Sequence, residues 1–281
     1  MADLKNIRKS ISQIAKLLYD KDLTDSCGGN ISVRDGDKIY ITPRRSGESH
    51  QWVVEEDAII VTDLCKVPLI GDVADISREA IIHYHIYQNF EDINAVFHSH
   101  PFYIMVYGAA HMDIPMVSEA TRHFLGDSPI SCTEELVPGS KEMADSVIEN
   151  FNQRRKVDPP TPALLCNLPF HGVFVASKEI NHTFITLESA ERNARMLIHR
   201  QLMFGNDPKA DLSIHRRLSA EERHSIEEVG EVCQPGFTYS SAFGETTTYG
   251  GIQSEKTGND QDLTKRITEE VLKQLKKQKG K

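Results

Sequence analysis

Six short apolar runs, each three to five residues long, constrain the fold of this chain more than any other feature: 31–33, 38–42, 58–62, 95–97, 163–166 and 172–176. They are rich in Ile, Val and aromatic residues and too short for helices, so they read as strands. The Asp35-Gly36 pair between the first two supplies a hairpin turn. Stretches of helical periodicity separate the runs, at 3–21, 77–90, 102–108, 141–154 and 187–203. Asp75 or Ser77 is the expected cap of the second, and Thr186 of the last, with Glu188 in its first turn. Residues 43–51 read as a polar loop. The pattern predicts an α/β domain of about 200 residues, a mostly antiparallel sheet with helices on its faces.

The 281 residues carry a net charge of −9, spread unevenly: −11 over residues 1–237 and +2 over 238–281. An acidic body argues against nucleic-acid binding, which needs a dense basic surface. Five scattered cysteines with no C-x-x-C pair read as reduced thiols. The amphipathic N-terminus lacks the uninterrupted apolar stretch of a signal peptide, and no run is long enough to span a membrane. The expected location is cytoplasmic.

Past residue 205 the pattern changes. Residues 206–233 read as a further helical stretch that completes a first region, 1–233. Half of residues 234–261 are Gly, Ser, Thr or Pro, a linker composition. In 262–281, Leu263, Ile267, Val271, Leu272 and Leu275 share one helical face with basic residues opposite, so this segment reads as a flexibly tethered amphipathic helix that needs a partner.

The chemistry centres on His98-x-His100, at the end of the 95–97 strand. Alternate strand residues point the same way, so two imidazoles at this spacing converge. His171, in LPFHG before another buried strand, supplies a third nitrogen, and three nitrogens with one open position is the arrangement of catalytic zinc. Spacing alone leaves this reading level with that of polar residues at strand ends. Glu79, at the start of the second helical stretch, is the next candidate, although its position alone favours a solvated carboxylate held by the helix dipole.

The motifs GGNISV (28–33), YITP (40–43), SRE (77–79), AVFHSHP (95–101), LPFHG (168–172) and TLESAERNA (186–194) stand in the order seen in the class II aldolase/adducin family, which the chain resembles over about residues 4–204. The resemblance implies a three-layer α/β/α fold around a mostly antiparallel central sheet, and a homotetramer with sites at subunit interfaces. It assigns one Zn²⁺ (or another divalent metal) per subunit to His98, His100 and His171, and an acid/base role to Glu79. It implies that Gly29, Asn30, the loop after Pro43 and the Ser77 segment bind a substrate phosphate. The implied reaction is cleavage of a ketose 1-phosphate, such as fuculose- or rhamnulose-1-phosphate, to dihydroxyacetone phosphate and lactaldehyde. Breaking a carbon–carbon bond beside a ketone leaves a carbanion, and a chelated Zn²⁺ stabilises the resulting enediolate without a Schiff-base lysine.

Several positions depart from the family pattern. Arg44, Arg45 and Arg78 stand where relatives carry hydroxyl residues and a glycine, and guanidinium groups bind phosphate or carboxylate bidentately. A substrate carboxylate would suit them equally, which keeps a metal-dependent decarboxylase of a hydroxy-aromatic acid as a rival. A non-catalytic, adducin-like assembly protein is the other rival, opposed by the complete set of metal ligands. Glu119 falls where some relatives place a proton-donating tyrosine across the interface, which leaves that donor unidentified. The C-terminal helix resembles the encapsulation peptides that carry enzymes into bacterial microcompartments, with shell or core proteins as its partners. Packing on its own body or a neighbouring subunit is one alternative, and binding to a membrane surface is another.

Overall fold

Side-chain alternation along the strands sorts the sheet into two buried faces, and that sorting decides which layer receives each functional residue. The computed structural model describes residues 2–158, 161–205, 207, 238–240 and 246–248. In order these form α1 (Ala2–Asp20), β1 (Asn30–Asp35), β2 (Lys38–Ile41), α2 (Ser46–His50), β3 (Ile60–Asp63), β4 (Pro68–Ile70), α3 (Ala80–Asn89), β5 (Ala95–Ser99), α4 (Phe102–Ala109), α5 (Glu119–Leu125), α6 (Lys141–Val157), β6 (Ala163–Leu168), β7 (Gly172–Ser177) and α7 (Ile180–Phe204). The strands make one sheet of seven, ordered β4-β3-β2-β1-β5-β7-β6, with every neighbouring pair antiparallel.

Ile31, Tyr40, Val61, Phe97, Leu165 and Val175 point to one face, where they pack with α1, α4 and α7. Ile39, Ile41, Val96, Leu164 and Phe174 point to the other and pack with α3 and α6. The α/β/α layering expected from the sequence is present. Parity along β5 places His98 with Val96, on the α3 side, while Ser99 turns to the opposite face and donates to the Leu23 carbonyl at 2.6 Å.

Several boundaries differ from the sequence expectation. The third strand begins at Ile60, because Glu56–Ala58 turn as a 3-10 segment. Residues 43–51 hold the short helix α2, too brief and polar to show a period. Helix α3 starts at Ala80 and not at 77; Asp75 does not cap it, and the Ser77 hydroxyl accepts only from the Glu79 N–H at 3.3 Å. Helix α7 starts at Ile180, and Thr186 lies within it with its hydroxyl on the His182 carbonyl, so it caps nothing. The β-branched residues Ile180, Thr183, Ile185 and Thr186 weaken the local helix signal, while burial of Thr183 and Phe184 sustains the helix. Strand β4 and helix α5 were not anticipated by periodicity.

The chain divides into two units, residues 1–223 and 224–281. In the second, within the stretch expected as a linker, β8 (Thr238–Ser240) pairs antiparallel with β9 (Thr246–Thr248). The expected helix at 262–281 and most of the 206–233 stretch lie outside the described residues. The four described cysteines are unpaired. Among the described residues no helix is long and apolar enough to cross a membrane.

The 186–194 motif acts as scaffold. Glu191 is buried, and its two carboxylate oxygens accept from the N–H groups of Tyr103 (2.8 Å) and Ile104 (2.9 Å), capping α4 directly after His98–Pro101. Asn193 accepts from the N–H groups of Val117 (2.8 Å) and Ser118 (2.9 Å), which fixes the approach to α5. Glu191→Ala leaves two N–H groups unpartnered in a largely buried region, so an unfolding free energy lower by about 2–4 kcal/mol is expected in denaturant titration. Glu191→Gln, which keeps one acceptor oxygen, is expected to lose less than half of that.

Candidate metal centre

His98 and His100 leave the end of β5 on one side of the sheet, and His171 reaches them from the turn between β6 and β7. One nitrogen from each lies within 4.8 Å of the other two. His98 Nδ1 donates to the Val173 carbonyl at 3.0 Å, and His100 Nδ1 donates to Asp25 Oδ1 at 3.1 Å. Each ring therefore turns an Nε2 lone pair inward, and these two Nε2 atoms stand 3.3 Å apart. Two facing lone pairs repel unless positive charge lies between them. A tetrahedral ion with nitrogens at about 2.0–2.1 Å separates its ligands by about 3.3–3.4 Å, so the pair fits a divalent metal of the zinc type. Burial, with His98 alongside, pushes the His100 imidazole down to about 4, so this ligand is neutral at physiological pH.

Two glycines make room for His100. A Cβ on Gly28 would lie 2.5 Å from its Cε1, and one on Gly172 would lie 2.6 Å from its Cδ2. Asp25 holds the turn that brings Gly28 in, with Oδ1 accepting from the N–H groups of Cys27 (2.8 Å) and Gly28 (3.2 Å). Asp25 was not singled out by the sequence reading; the signal available was an acidic residue three positions before a Gly-Gly pair. A carboxylate behind a metal-ligating histidine fixes its tautomer and raises its basicity.

Glu79, at the foot of α3, completes the cluster. Its Oε2 lies 2.9 Å from His98 Nε2 and its Oε1 3.2 Å from His171 Nε2. Burial pushes the carboxyl up, but its contacts with His171 and His98 outweigh this and hold it below the usual carboxylate range. It is thus a partly buried carboxylate at the ligand set and not a solvated helix-start residue. Glu79 also lines a cavity of about 380 Å³ together with Gly28, Gly29, Arg44, Arg45, Ser77 and Arg78. Arg44 lies 3.9 Å from Asp75 and Arg45 3.6 Å from Glu48, whereas Arg78 makes no ion pair among the described residues. Asn30 is opposite His98 in the β1–β5 register, buried, with neither side-chain atom hydrogen-bonded. Glu119 is exposed at the start of α5 and does not line this cavity.

Residues 9–198 match the Class II Aldolase and Adducin N-terminal domain. The chain belongs to the class II aldolase and adducin family. It is 30% identical over 186 residues to an L-fuculose phosphate aldolase of Methanococcus maripaludis, covering 66% of this chain and 92% of that protein. It is 28% identical over 210 residues to a 5-deoxy-D-ribulose 1-phosphate aldolase of Bacillus thuringiensis serovar kurstaki, covering 73% and 90%. Among solved structures, an L-fuculose 1-phosphate aldolase superposes with a TM-score of 0.62 at 22% identity, over 79% of this chain and 95% of the other. The L-fuculose-1-phosphate aldolase of Thermus thermophilus superposes with a TM-score of 0.56 at 20% identity, over 74% and 100%. These likenesses confirm the class II aldolase fold, and relatives named as aldolases make the chain an enzyme of the lyase class.

Asp25→Ala is expected to weaken zinc binding by about 10–100-fold, the usual range for such supporting groups, in competition with a chromogenic chelator. Gly28→Ala, which drives a methyl into His100, is expected to weaken it at least as much with thermal unfolding of the metal-free protein retained. Unchanged affinity in both would remove this support from His100.

Proposed function

We propose that the chain is a zinc-dependent aldolase that cleaves a ketose 1-phosphate, such as fuculose- or rhamnulose-1-phosphate, to dihydroxyacetone phosphate and lactaldehyde. The observation that carries this reading is the position of Glu79, whose carboxylate touches the histidine cluster on one side and lines the arginine cavity on the other. A divalent cation held by His98, His100 and His171 would supply, when bound, Lewis acidity for the charge left on the ketone fragment. Glu79 stands where it moves a proton at the carbon that loses its bond. Arg78, free of ion pairs among the described residues, binds the phosphate, with Arg44, Arg45, Ser77 and Gly29 lining the same cavity and the unpartnered Asn30 side chain, buried opposite His98, reaching the substrate as well. The cavity volume is in the range of sites for small metabolites.

The reading extends to a homotetramer, supported by the exposed apolar side chains of Val106 on α4, Met112 in the loop after it and Leu202 on α7. In it a neighbouring subunit supplies the general acid missing here, and Glu119 contributes at that interface. The basic amphipathic segment 262–281 addresses a cytoplasmic enzyme to a bacterial microcompartment.

In a coupled assay for dihydroxyacetone phosphate, the full chain is expected to turn over a ketose 1-phosphate. Glu79→Gln is expected to slow it at least about a hundredfold, the usual worth of a positioned acid–base group. Arg78→Ala is expected to act mainly on KM, raising it by about tenfold for loss of a charge-assisted contact. Release of CO₂ from a hydroxy-aromatic acid without dihydroxyacetone phosphate would establish the decarboxylase instead, and Glu79→Gln turning over normally would remove Glu79 from the chemistry.

A further inference from the structure

Helix α3 continues the face that begins with Glu79. His83 follows it by one turn and Tyr87 by a second, and the backbone at Glu79 is already helical (φ −73°, ψ −12°), so all three residues look toward the sheet. His83 is completely buried. Its Nδ1 lies 2.7 Å from the Ser32 hydroxyl, and the same hydroxyl lies 2.8 Å from the Tyr87 hydroxyl. Ser32 opposes Val96 in the β1–β5 register, and Asn30, two residues away on β1, opposes His98. The His83 ring meets Phe174 edge-on (5.7 Å, 78°), and Phe174 stacks on His98 (4.7 Å, 18°).

These contacts sit inside an otherwise apolar core made by α3, α6 and the sheet. Apolar side chains would fill that space without desolvating three polar groups, but they would let α3 slide or rotate on the sheet. A chain of short hydrogen bonds fixes one orientation. Burial pushes the His83 imidazole down to about 3, so the chain keeps one charge state across the physiological range.

We infer that Ser32, His83 and Tyr87 form a buried brace between α3 and the β1–β5 pair, and that His83 is a positioning residue that acts on the reaction through Glu79. This rests on the aldolase reading, in which Glu79 moves the proton. The Glu79 carboxylate spans two imidazoles at 2.9 and 3.2 Å, and a shift of α3 of about 1 Å is enough to cost about a hundredfold in rate.

The test uses the full-length, zinc-loaded protein and begins with Ser32→Ala, which removes the shared oxygen without adding bulk. The expected result is a fall in kcat of at least about tenfold, with KM and chelator-measured zinc affinity moving less than about threefold. His83→Asn, whose amide sits near the former Nδ1, is expected to stay within about threefold of the parent, while His83→Leu falls with Ser32→Ala. In a Glu79→Gln background, Ser32→Ala is expected to change kcat less than about twofold, because both substitutions remove one effect. An unchanged kcat in Ser32→Ala, a loss that multiplies in full on Glu79→Gln, or a matching loss of zinc affinity would overturn the brace. Full activity in Glu79→Gln alone would remove Glu79 from the chemistry and, with it, the role given to His83, while leaving the proposed reaction in place.

Discussion

The centre depends on one constraint, the alternation of side chains at the end of β5. It turns Val96 and His98 toward α3 and Phe97 and Ser99 toward α1 and α7, and His100 follows on the His98 side. Because β5 lies between β1 and β7, His98 is flanked in register by Asn30 and Phe174. A shift of one residue in either pairing would carry His98 to the opposite face, away from Glu79. The large buried sheet therefore does more than supply stability: its register positions the first histidine of the cluster.

The second level of order is close packing around His100. Gly28 and Gly172 approach its ring from two segments far apart in sequence, and Asp25 ties both its Nδ1 and the Gly28 N–H to a single oxygen. Glu191 caps α4 immediately beyond, on the other side of the sheet. His98 and His100, fixed by a carbonyl and a carboxylate acceptor, turn their Nε2 lone pairs toward one another. The carboxylate of Glu79 sits between the histidine cluster and a cavity whose positive charges are guanidinium groups, so one small volume brings together three imidazoles, a carboxylate and three arginines.

Much of this was legible in the sequence because short strands and the His-x-His spacing report directly on side-chain direction. The three histidines, Glu79 and the arginine loop come together as expected, and so does the α/β/α layering. What the sequence hid was set by tertiary context. The first turns of α7 are β-branched and become helical because Thr183 and Phe184 are buried. Helix α2 is too short and polar for a period to show, and its Trp52 neighbour is held by the Asp25 carbonyl. Asp25 carries no periodic signal, since its role arises only when the 25–28 turn meets the end of β5. The Ser32–His83–Tyr87 chain was equally invisible: each residue alone reads as an ordinary polar residue on a strand or helix.

The central claim is that His98, His100 and His171 hold one metal ion. The most direct measurement is elemental analysis of the full chain after equilibration with zinc and gel filtration, for the parent and for His98→Ala, His100→Ala and His171→Ala. About one zinc per chain in the parent, falling below about a tenth in each variant while the metal-free proteins unfold at similar temperatures, is the expected result, since losing one of three protein ligands opens a catalytic-type site. Stoichiometric zinc retained in all three variants would contradict it.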